Sequence, residues 1–157
     1  MGAHSYRRAV ALDSRNAEAL RGALRAASMQ GQTDAARQWL ESLSRQQPSN
    51  ASVRVELSYL AAATGKTEDA LAHANAAIGL APDDPRPVEQ LASILADAGD
   101  AERLAPIADH LVSRFPGRED GRYYQGVALM LRSRAFEAAD AARHLLSAAP
   151  KDRKSVV

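Results

Sequence analysis

The chain has no cysteine, and aromatic side chains make up only 4% of its 157 residues. Without thiols it can form neither a disulfide framework nor a cysteine-ligated zinc site, although this leaves the compartment open. No apolar run approaches the roughly 18 residues of a membrane span, so direct membrane insertion is not expected. Residues Met1 to Arg8 also lack the apolar stretch of a signal peptide. An excess of one charge is missing too: 20 basic and 19 acidic residues leave a formal net charge of +1, with no block of like charge. That balance argues against a nucleic-acid arm or a membrane-binding segment.

What is present is alanine. Apolar residues reach 46%, an ordinary share, but many are Ala rather than large aliphatics. Alanine is the best helix former, and its small side chain lets helices approach closely. The composition therefore predicts an all-α protein with thin helix–helix interfaces, long enough to bury one core. A preference for Arg over Lys, together with the alanine, points to a high-GC bacterial gene.

Internal repetition then fixes the organisation. Pro48, Pro82, Pro116 and Pro150 are each 34 residues apart, and Gly31, Gly65 and Gly99 keep the same step, with Ser133 in the fourth slot. Apolar residues follow in register. Ala36, Ala70, Leu104 and Ala138 share one slot; Leu43, Ala77, Leu111 and Leu145 share a second; Ala27, Ala61, Leu95 and Leu129 share a third. Between each Gly and each Pro lie 16 residues, room for one helix of three to four turns with its caps. Each unit reads as helix, Gly turn, helix, Pro turn.

Local chemistry agrees. Asn50 and Asp84 stand where a helix N-cap is needed, Asp84 being followed by Pro85 at the first helical position. Thr33, Thr67 and Asp100 follow the glycines and are expected to cap the second helices. Asp34, Glu68 and Glu102 sit in the first turns, where the helix dipole favours acids.

These residues resemble the tetratricopeptide-repeat (TPR) family, whose 34-residue helix pairs carry small or apolar residues at the matching slots and a proline near the end. The resemblance covers nearly the whole chain. It implies a right-handed superhelical solenoid of antiparallel helix pairs with no catalytic constellation. The expected units are residues 1–16, the second helix of a truncated leading repeat (Tyr6, Ala9, Leu12); full repeats 17–50, 51–84, 85–118 and 119–152; and 153–157, a tail or the start of a further helix. Arg54, Arg122 and Gln125 stand where the family pattern has large hydrophobes. Pro106 lies inside a second helix, which is expected to start late or kink there. The third repeat is thus expected to be the least regular.

The family likeness further implies that first helices line a concave groove that holds a peptide or a partner helix. Carried onto this sequence, the groove residues are Arg21, Arg25, Val55, Tyr59, Glu89, Ser93, Tyr123 and Val127. They read as a basic entrance followed by an aromatic and apolar stretch; tyrosines offer large contact area at low entropic cost. The carboxylate clamp found in some family members does not fit, because Glu56 stands between Arg21, Arg25 and Arg86 and would repel a carboxylate. Apolar ends without polar capping helices favour self-association, so a homo-oligomer through those ends is an expectation.

Other motifs reduce to structure. Gly65-Lys66-Thr67 matches the last residues of a phosphate-binding loop, but Leu60 stands where that loop needs its first glycine. His73, His110 and His144 fall in different repeats without convergent partners, so no metal is expected. Asp109, His110 and Ser113 cannot form a relay, because adjacent helical residues diverge. Trp39 lies beside a core position, where its ring covers the convex side or offers a second contact surface. No catalytic residue and no cofactor emerge.

The reading is a non-catalytic scaffold for a protein or peptide ligand, with no nucleic acid, inside a larger bacterial protein or assembly. The alternative is a targeting segment of a glycosyltransferase- or sulfotransferase-like enzyme whose catalytic domain lies outside this chain.

Overall fold

The computed structural model describes residues 17–148. Among these the chain forms seven helices and no strand: α1 (Ala17–Met29), α2 (Thr33–Gln46), α3 (Ala51–Ala63), α4 (Thr67–Leu80), α5 (Pro85–Asp97), α6 (Ala101–Arg114) and α7 (Asp120–Ala148). The half repeat expected over 1–16, Pro150 and the tail 153–157 lie outside the described residues.

The turns within the first three repeats form as the glycine spacing requires. Gly31, Gly65 and Gly99 have φ of 69°, 73° and 70°, the left-handed region in which an L side chain is strained. The residue after each glycine donates its N–H back to Ala27, Ala61 or Leu95, closing the end of the first helix. The Asn50 side chain then accepts from the N–H groups of Ser52 and Val53, that of Asp84 from Arg86, and that of Asp100 from Arg103. Thr33 and Thr67 depart from expectation. Each is the first residue of its helix, and Gln32 and Lys66 hold the cap positions without a side-chain bond.

Pro106 does not delay its helix. α6 begins at Ala101 and runs through the proline. The Asp100 cap, Glu102 in the first turn and burial of Leu104, Ala108 and Leu111 hold the segment, while Pro106 itself is exposed, where a freed carbonyl can meet water.

The fourth repeat is the irregular one. Over its described part it is not a helix pair: α7 continues for 29 residues straight through Ser133. The reason is local. Ser133 replaces the glycine, no positive φ is adopted there, and Ala135 follows Arg134 where Ala101 of the third repeat follows the capping Asp100. Arg132, Arg134, Ala135 and Glu137 are good helix formers, and Ser133 bonds Glu137 one turn on.

Neighbouring helices pack in sequence, and the first helices also touch one another: α1 with α3, α3 with α5, and α5 with α7. The backbones of the second helices α2, α4 and α6 stand apart, spanned between α4 and α6 by a long exposed Arg103–Glu68 pair. Close first helices and spread second helices curve the stack, with the first helices on the inside. Burial holds it together in two clusters. One joins Leu20, Leu24, Leu40, Leu43, Val53 and Leu57; the other runs from Ala61 through Leu71, Leu91 and Leu104 to Ala128. Leu20, Leu40, Leu104 and Leu111 are fully buried, each worth about 2 kcal/mol. Where α7 crosses α6, a Cβ on Gly121 would lie 2.8 Å from the backbone nitrogen of Val112, so that crossing requires glycine.

Candidate functional site

The inner surface starts with an arginine whose charge is already engaged. Arg21 of α1 directs Nε to the Glu56 carboxylate of α3 at 3.2 Å. Its guanidinium lies 4.9 Å from the centre of the Tyr59 ring, a cation–π contact. Glu56 is only 5% exposed. Burial pushes its carboxyl up from the ordinary value, and the Arg21 charge and hydrogen bond oppose that rise, with Arg86 helping. The expected basic entrance is therefore partly neutralised from below. Arg25, one turn further on, is exposed and makes no ion pair among the described residues.

The middle of the surface is polar beneath and mixed above. Val55 is buried by its neighbours and presents no free face. Tyr59 is half-exposed. Below it, the buried Gln90 Nε2 donates to Ser58 Oγ at 3.4 Å, and Ser58 Oγ donates to the Ala70 carbonyl at 2.8 Å, a buried chain tying α5, α3 and α4 together. Glu89 is half-buried and ion-paired with Arg118. Burial and the nearby Asp120 charge push its carboxyl up, against the pull of Arg118.

At the far end Tyr123 is 66% exposed, its ring edge-on to Tyr124 at 5.1 Å. Tyr124, not Tyr123, reaches back to bond the Ser93 side chain on α5. Burial raises its phenol pKa, and the Ser93 bond opposes this. Val127 is half-buried against the second core cluster.

Of the eight residues carried over from the family pattern, Arg21 and Tyr59 are brought together. Arg25, Glu89, Ser93 and Tyr123 lie separately along the same wall, and Val55 and Val127 belong more to packing. Slot arithmetic missed Arg118, Tyr124 and the Ser58–Gln90 pair. Arg118 lies in a turn, outside any helix slot, and Ser58 and Gln90 stand 32 residues apart, off the 34-residue step, so no shared slot links them. On α3, Arg54 is half-buried with its Nε buried and without a hydrogen-bond partner. Burial holds the nearby His73 below its ordinary pKa, and the Arg54 charge adds to that effect. Trp39 is half-buried and packs on the first core cluster. Among the described residues no three His, Asp or Glu side chains converge on a metal-sized site, and no helix is long and apolar enough to cross a membrane.

The helix pairs, the glycine turns and the close first helices define a tetratricopeptide-repeat solenoid. Residues 3–57 match the family model described as "Tetratricopeptide repeat". No curated protein matches the sequence. Several solved structures share the fold. The MamA protein superposes with a TM-score of 0.65 at 16% identity, covering 92% of this chain and 79% of that one. A thermophilic TPR protein of Thermus thermophilus gives 0.63 at 20% identity, covering 94% and 81%. YrrB, described as a TPR protein with an unusual peptide-binding site, gives 0.60 at 23% identity, covering 82% and 66%. By fold, the described residues form a TPR-type solenoid, and residues 3–57 carry the match to the family model.

Proposed function

We propose that this chain is a non-catalytic scaffold that holds a peptide or a partner helix along the surface formed by α1, α3, α5 and the first half of α7. The observation that carries the reading is the continuous contact of these four helices, with Arg25, Tyr59 and Tyr123 open along it. A peptide-binding site on the similarly folded YrrB supports the reading.

The surface chemistry narrows the ligand. Arg21 stacked on Tyr59 forms an amphipathic pad: the ring offers apolar area, and the guanidinium directs its Nε away to Glu56. Glu56 and Glu89, held beneath two arginines, disfavour an acidic tail. A segment with apolar side chains and free backbone carbonyls suits this wall better than a strongly charged one. Tyr59→Ala combined with Tyr123→Ala tests the idea. Peptides selected from a displayed random library on the native protein are expected to bind the double variant about tenfold or more weakly, with helicity by circular dichroism unchanged. Equal affinity for both proteins would remove the groove from consideration.

A further inference from the structure

The third and fourth repeats contain corresponding clefts, the first walled by three helices and the second by two. In the third, Leu71 and Asn75 of α4 face Leu91 and Leu95 of α5, and Glu102, Arg103, Pro106 and Ile107 of α6 form a third wall. One repeat step later, Ala105 and Asp109 of α6 face Gln125 and Leu129 of α7 around a cavity of about 370 Å³. The residues one step beyond that third wall are Phe136, Glu137, Asp140 and Ala141. They do not line this cleft, because α7 carries them away along its own axis.

Both sides of the missing contact are bare. Leu129 is 67% exposed, whereas Leu95, its counterpart one repeat earlier, is 2% exposed. Leu145 is 73% exposed against 2% for Leu111, and Phe136 and Leu146 are open as well. In each complete repeat these slots share a core cluster: Ala27 with Ala36 and Leu43, Ala61 with Ala70, Leu95 with Leu104 and Leu111. Within α7 they cannot meet, since Leu129 and Leu145 lie about 24 Å apart along a straight helix.

We propose that a second copy of this chain fills the cleft with its residues 134–148, and receives the same segment in return. The pairing is self-complementary. In the closed repeats, first- and second-helix residues pair symmetrically about the glycine; on α7 the same symmetry centres beside Ser133. Two α7 helices lying antiparallel across Ser133 therefore set Leu129 of each copy against Ala138 of the other, an isologous two-fold contact built from the repeat's own packing. Closing the hairpin within one chain instead requires a turn at Ser133, where no glycine supplies the left-handed conformation that Gly31, Gly65 and Gly99 adopt.

The native chain lacks cysteine, so introduced thiols report directly. A Leu129→Cys chain and an Ala138→Cys chain, co-expressed and oxidised, are expected to form a disulfide-linked heterodimer. Sedimentation equilibrium of the native protein at tens of micromolar is expected to give twice the chain mass. Ser133→Gly with Ala135→Thr, which restores a Gly-Arg-Thr turn, is expected to halve that mass while keeping the helicity. A monomeric native protein, a dimer that forms no 129–138 cross-link between chains, or a turn variant that stays fully dimeric would each overturn the exchange.

Discussion

Glu56 shows how one side chain can be legible in its position and hidden in its energetics. The 34-residue step places it on the first helix of the second repeat, beside the groove residues, where its charge argues against an acidic ligand. How deeply it is buried depends on the approach of α1 and α5, which no single repeat encodes. The same gap explains Val55: its slot predicts an inward direction, but neighbouring helices close over it. Because burial raises the Glu56 carboxyl above its ordinary value despite Arg21, folding binds the proton at Glu56 more tightly than the unfolded chain does. Its contribution to stability is fullest below the ordinary carboxylate value and declines as pH rises through the raised one. Glu56→Gln keeps the shape and removes the charge. The variant is expected to melt higher than the native protein at pH 7, with the difference vanishing near pH 4; a lower melting temperature at pH 7 would mean that the Arg21 pair outweighs burial.

At the scale of helices, the turns were the most legible part and the fourth repeat the least. Gly31, Gly65 and Gly99 mark their turns because no other residue takes that backbone conformation freely. Asn50, Asp84 and Asp100 mark helix starts because their side chains replace missing backbone acceptors. Thr33 and Thr67 carried the same signal and lay one residue too far into the helix to use it. Pro106 misled for a different reason, since tertiary burial of Leu104 and Ala108 outweighs one lost hydrogen bond. Ser133 misled by register: the step predicts a turn, but without glycine or a cap the local preference for helix wins. Asp84 offers a direct test of capping. Burial pushes its carboxyl up, but the bonds from the Arg86 side chain and N–H outweigh that and hold it below its ordinary value. Its stabilisation is thus present above the ordinary carboxylate value and lost as pH falls through the lowered one. Asp84→Ala is expected to cost about 1 kcal/mol in urea unfolding at pH 7, and less below about pH 3.5.

For the whole molecule, the important division is between the two core clusters. Val53 and Leu57 of α3 belong to the first and Ala61, one turn on, to the second. The first cluster rests on α1, α2 and the start of α3, while the second extends over the helices that follow. In a repeat stack, stability is a sum of local units and their interfaces, so the smaller unit can open alone. Hydrogen exchange of the free protein is expected to separate into two tiers, with core amides of α1 and α2 exchanging faster than those of α5 and α6. A single exchange rate across all these amides would show that the two clusters open together.

The boundary between those clusters falls within a few residues of Glu56, Ser58 and Tyr59. A ligand gripping Arg25 and Tyr59 at one end and Tyr123 at the other would lie across that boundary like a splint. Its occupancy would then be readable far from the contact itself, as a gain in unfolding cooperativity that merges the two tiers of exchange into one.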